Sequence, residues 1–102
     1  MDKSWENIKK LISYSEKGIV STEVMKTDKV DATLFCLAKT TSISEHTSTK
    51  EGIIYVLEGS GMFTLAGEDI VMAPGVFISM KNNAVHSIKV KEDTAFILIL
   101  VN

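Results

Sequence analysis

From about residue 19 onward, apolar and polar positions change over in short bursts with no helical period. Residues 30–39 are rich in Val, Leu, Phe and Thr. Similar runs follow at 53–58, 61–66, 69–72, 75–80, 85–90 and 94–101. Turn residues separate many of them: Glu58-Gly59-Ser60-Gly61, Ala66-Gly67-Glu68, Ala73-Pro74-Gly75, Lys81-Asn82-Asn83 and Lys91-Glu92-Asp93. About eight or nine short strands at this spacing predict an antiparallel sandwich or barrel rather than βαβ units.

The opening stretch has a different period. Trp5, Ile8, Leu11 and Ile12 recur at helical spacing, Ser4 is a suitable N-cap, and Glu6 precedes Lys9 and Lys10 as the helix dipole favours. The pattern predicts one short helix over residues 4–12, docked on the barrel by Trp5 and closed by Gly18. The chain then divides into an N-terminal helical segment, 1–18, and a β-barrel, 19–102. Two strands, 53–57 and 96–101, are apolar on both faces. A barrel strand buries one face, so the outer face of these two needs a cover. The helix is one candidate and a second subunit the other; a homodimer is the expectation.

Composition narrows the partners. The 102 residues form one domain, 45% hydrophobic and 24% charged, with a formal net charge of −2. No basic block tracks phosphates, which excludes nucleic acid as a partner. Cys36 is the single cysteine, so an intrachain disulfide and a multi-thiolate metal site are excluded. It reads as a buried structural thiol, although its parity with Ala32 and Leu34 leaves a place in the cavity open. The longest apolar run, 95–101, is far below the ~20 residues of a spanning helix, and the N-terminus has no signal-like apolar core. No membrane partner and cytoplasmic residence are therefore expected.

The stretch from Ser44 to Lys89 carries the candidate chemistry. Tyr55-Val56-Leu57-Glu58-Gly59 resembles the end of the first motif of the small β-barrel cupins, with Gly59 as its closing glycine. Counting back places His46 at that motif's first histidine, Ser48 at its second and Gly52 at its glutamate. In the second motif Gly75 matches the first glycine and His86 the histidine. Lys81, Asn83 and Val90 stand where the family has proline, glycine and asparagine. Asn83 is compatible with the positive φ of a turn glycine. The resemblance covers about residues 30–101. It implies an all-β, double-stranded β-helix (jelly-roll) barrel, often dimeric, in a family of dioxygenases, isomerases, decarboxylases and sugar-binding or regulatory domains.

Two functions are compatible with these residues. The first is a small-molecule pocket in the barrel mouth, with His46, His86 and Ser48 as polar groups and Ile54 and Val56 as apolar wall. The second, implied by the resemblance, is a metal-dependent enzyme of the dioxygenase or isomerase class. There His46 and His86 hold a divalent transition metal (Zn, Fe, Ni or Cu), for which neutral imidazole is a good ligand. Glu45 or Glu51 could supply a third ligand, but strand alternation turns both away from the face shared by His46, Ser48, Gly52 and Ile54. A histidine pair also suits proton transfer without metal. Thr47 and Ser48 beside His46 lack an acidic orienting group, which argues against a hydrolytic triad. By the same alternation Tyr55 faces outward, and the methionines read as core filling.

Overall fold

The computed structural model describes residues 4–102, so Met1 to Lys3 of the expected N-terminal segment lie outside the described residues. Nine strands follow a single 3₁₀ turn, Ile8–Leu11. They are β1 (Ile19–Lys26), β2 (Val30–Leu37), β3 (Ser42–His46), β4 (Glu51–Glu58), β5 (Gly61–Leu65), β6 (Glu68–Met72), β7 (Phe77–Met80), β8 (His86–Val90) and β9 (Thr94–Val101). Two antiparallel sheets result, one ordered β1-β2-β9-β4-β7 and the other β3-β8-β5-β6. Among the described residues no helix is long and apolar enough to cross a membrane.

The two sheets face each other across one core. Leu37, Ile54, Val56, Ile78 and Phe96 from the first meet Phe63, Met72, Ile88 and Val90 from the second, all buried. These side chains occupy every second position of their strands, as a half-buried strand requires. Turn chemistry fixes the register between them. Ala66 and Gly67 both have positive φ in the two-residue link from β5 to β6, the pattern of a type I′ hairpin. Asn83 takes the positive φ expected of it. At Gly59, with φ +109°, a β-carbon would lie 2.6 Å from the Asp93 carbonyl oxygen and collide with Thr94. The backbone of β9 thus passes where any side chain would stand.

The N-terminal segment departs from the helix predicted for it. One 3₁₀ turn is capped by Asn7, whose Oδ1 accepts the Lys9 N–H, in place of a longer helix capped by Ser4. Ile12 is already extended. So short a segment is marginal as an α-helix, and packing decides its shape. Ile8, Leu11, Ile12 and Tyr14 lie on Leu34, Cys36 and Ala95, while Trp5 is 66% exposed. The Tyr14 hydroxyl donates to Glu58 Oε2 at 2.7 Å and pins the strap to the end of β4. Cys36 is therefore outside the barrel cavity. It shares a face with Leu34 as its parity requires, but that face is the outer one, beneath the strap. Burial pushes its thiol pKa up, as suits an inert structural cysteine.

Candidate functional site

Residues from both sheets close around a cavity of about 230 Å³. The five-stranded sheet contributes Phe35, Ile54, Phe96, Leu98 and Met80; the four-stranded sheet contributes Ile43, Ile88 and the two histidines. Phe35 and Phe96 are cross-strand partners, and their rings stack with centroids 5.4 Å apart. His46 and His86 are the only polar side chains of the lining.

Local backbone geometry brings the histidines together. His46 ends β3 and pairs directly with His86, the first residue of β8. Strict alternation from Ile43, which lines the cavity, would turn His46 outward. A register shift between Ile43 and His46 adds the step that turns it in, a common use of a bulge beside a site. The rings lie 4.0 Å apart between centroids, tilted by 59°. Phe63 backs the His86 ring in a nearly parallel stack at 5.8 Å.

Each ring is also held by its own backbone. His46 Nδ1 lies 2.9 Å from the Ser44 carbonyl oxygen, and His86 Nδ1 lies 3.0 Å from that of Ala84. A carbonyl oxygen only accepts, so each Nδ1 donates and Nε2 is the lone-pair nitrogen of the neutral ring. His86 is 6% exposed, whereas His46 is open to solvent. Burial lowers the pKa of His86 below its ordinary value, and His46 beside it acts in the same direction, against the Ala84 hydrogen bond.

Ile54 lines the cavity beside these rings, but Ser48 and Val56 do not. Val56 is completely buried one inward position further along β4, inside the core. Ser48 sits in the loop between β3 and β4, where its hydroxyl accepts the Lys50 N–H and its carbonyl the Asn83 N–H. Its assignment to the cavity presumed one unbroken strand from 46 to 54; the chain instead changes sheet there. Sequence reasoning did not find Phe35, Ile43, Met80, Ile88, Phe96 or Leu98 as lining. Only the pairing of strands distant in sequence brings them together.

The donor set does not fit a three-ligand metal centre. Gly52, at the position of the family's glutamate, is tightly enclosed: a β-carbon there would meet Met80 Cε at 2.9 Å and Leu100 Cδ2 at 3.2 Å. Met80 thus fills the space into which that carboxylate would grow. Glu45 and Glu51 are both exposed. Among the described residues no group of three or more His, Cys, Asp or Glu side chains converges, and two imidazoles fall short of the usual three protein ligands.

No curated protein matches this sequence. Among solved structures, a conserved protein of unknown function from Streptococcus pyogenes superposes over all of this chain and 90% of its own, with TM-score 0.88 and 19% identity. A cupin superfamily protein from Desulfitobacterium hafniense matches over 90% of this chain and 84% of its own, with TM-score 0.85 and 23% identity. Salicylate 1,2-dioxygenase from Pseudoaminobacter salicylatoxidans matches over 82% of this chain but 26% of its own, with TM-score 0.77 and 12% identity. At these identities the likeness is one of fold. The model of the cupin domain matches residues 33–102, which takes in most of β2, all of β3 to β9 and both histidines, and the chain belongs to the cupin family.

Proposed function

We propose that this cupin is a small-molecule-binding protein whose ligand occupies the cavity between the sheets. The supporting observation is the convergence of His46 and His86 in a cavity otherwise walled by apolar side chains, the usual composition of a ligand site. At about 230 Å³ the space is below the roughly 300–1,000 Å³ of drug-sized pockets and suits a ring-sized molecule. Titration of the ¹⁵N,¹³C-labelled protein with a library of ring-sized fragments tests this reading. Hits are expected to shift the methyl and ring signals of Ile54, Ile88, Phe35 and both histidines. A library that moves only surface loops would refute it.

A metal-dependent cupin enzyme is the second reading. It is favoured by the Nδ1–carbonyl contacts, since metal-ligating histidines orient themselves by such a bond from the other ring nitrogen. His46 and His86 would be the ligands of a Zn, Fe, Ni or Cu ion, with too few protein donors to complete its shell. Elemental analysis of the untagged protein, the His46→Ala and His86→Ala variants and metal-reloaded samples separates the two. Near-stoichiometric metal lost on either substitution would establish the second reading.

We further propose that the protein works as a homodimer. Tyr55, Phe77 and Val101 are exposed on the outer face of the β9-β4-β7 end of the sheet, where a groove also takes in Ile53. Among the described residues, Ile8, Leu11, Ile12 and Tyr14 of the N-terminal strap pack in the cluster that includes Leu57 and Ile97. Glu51 and Lys81, of opposite charge, also line the groove.

A further inference from the structure

The two ring nitrogens aimed away from the backbone have a consequence for ligand choice. Both Nδ1 atoms are committed to the carbonyls of Ser44 and Ala84. Neither Nε2 has a hydrogen bond among the described residues, and no buried side-chain nitrogen or oxygen is left without a partner. The rings lie 4.0 Å apart between centroids, and with each Nδ1 hydrogen held by a backbone carbonyl a neutral ring presents its Nε2 lone pair as an acceptor. The neutral pair offers two acceptors and no donor. The rest of the lining is hydrocarbon, apart from the Met80 thioether, which is a weak acceptor.

From this arrangement we infer that the cavity selects uncharged ligands that bring their own hydrogen-bond donor, a phenolic or alcoholic hydroxyl on a ring-sized apolar body, and rejects carboxylates. The hydroxyl hydrogen satisfies an Nε2 lone pair, and the ring lies against the stacked Phe35 and Phe96. A carboxylate carries only acceptors, so it would face the same lone pairs undirected and lose its water, a large cost in an apolar site. An aprotic ring of equal size would fill the space and leave Nε2 unmatched. This inference rests on the small-molecule reading given above.

Three probes of one shape test it: phenol, toluene and benzoate, titrated at pH 7.5 into the full-length protein labelled with ¹⁵N. Long-range proton–nitrogen spectra give the tautomer of each histidine before any probe is added, and both rings are expected to carry the proton on Nδ1. Phenol should bind roughly three- to tenfold more tightly than toluene, the range of one neutral hydrogen bond, and should shift Nε2 of at least one ring. Benzoate should not compete. His46→Phe keeps an aromatic ring at an exposed position and removes one acceptor; it should narrow the preference for phenol over toluene. If His86→Phe fails to fold, the His46 variant carries the test alone. Equal affinity for phenol and toluene, preferred binding of benzoate, or a ring protonated at Nε2 would each overturn the inference with the pocket reading intact. Absence of binding by all three probes would overturn both.

Discussion

At the scale of single residues, His86 sets how the site responds to pH. Its neutral form is favoured first by burial and then by the neighbouring His46, against the Ala84 hydrogen bond, so its folded pKa lies below the ordinary 6.5. In the unfolded chain the ring takes up a proton near pH 6.5; in the native state it does so only at lower pH. Between those two values the unfolded state holds more protons, and stability rises with pH. Its contribution is complete above about pH 6.5 and is lost as the pH falls through the folded pKa. Melting temperature should therefore decline from pH 7.5 to pH 5.5 more steeply in the wild type than in His86→Gln, whose amide can still donate to Ala84. Equal slopes would show that burial of this ring does not govern the acid limb. That both histidines reach one cavity was legible from motif spacing. The placement of Ser48 was not, because alternation predicts a face only within one strand, and the chain turns between His46 and Glu51.

At the scale of elements, the strand train was readable because apolar bursts and turn residues agree. Strand β9, Thr94–Val101, matches its predicted bounds, and Asn83 supplies the positive φ its turn needs. Strand β3 gave no comparable signal. Ser42–His46 holds a single apolar side chain, Ile43, and is bulged besides. The opening segment misled in the opposite direction: its helical spacing of apolar residues is real, but tertiary packing draws it into an extended strap. The β5–β6 hairpin shows where local preference and fold disagree. Ala66 is held at φ +49°, a region in which an L-residue with a β-carbon is strained by roughly 1–2 kcal/mol and which Asn tolerates. Ala66→Asn should leave the backbone hydrogen bond from its N–H to the Val85 carbonyl in place. Stability should rise by about 1 kcal/mol, seen as a melting temperature higher by roughly 4–8 °C in a domain of this size. A lower melting temperature would mean that the turn does not store this strain.

At the scale of the whole molecule, the two faces of the five-stranded sheet have different tasks. The inner face supplies most of the cavity wall, including Phe35, Ile54 and Phe96. The outer face is divided between the strap, which seals Leu34, Cys36 and Ala95, and the apolar end around Tyr55 and Phe77. Double-sided apolar strands already pointed to a covered outer face from the sequence; which part the strap would leave uncovered depended on register. Tyr55 pairs with Phe77 on one side and Ile97 on the other, and Ile53 pairs with Ser79 and Ile99, so these side chains form adjoining rows. Phe77 is 62% exposed there, on the edge strand β7. Contiguous apolar surface of this kind marks an association site more often than bare solvent contact. Phe77→Lys places a charge on that face without touching the cavity, whose lining omits Phe77. Light scattering coupled to size exclusion should give a dimer for the wild type and a monomer for Phe77→Lys, each with unchanged circular dichroism. Phenol affinity should persist in the monomer, since every cavity residue comes from one chain. A wild type that is monomeric at high micromolar concentration would refute the dimer and leave the ligand site standing. A variant that loses dimer and ligand together would instead tie the outer face to the cavity through β4, the strand that carries both Tyr55 and Ile54.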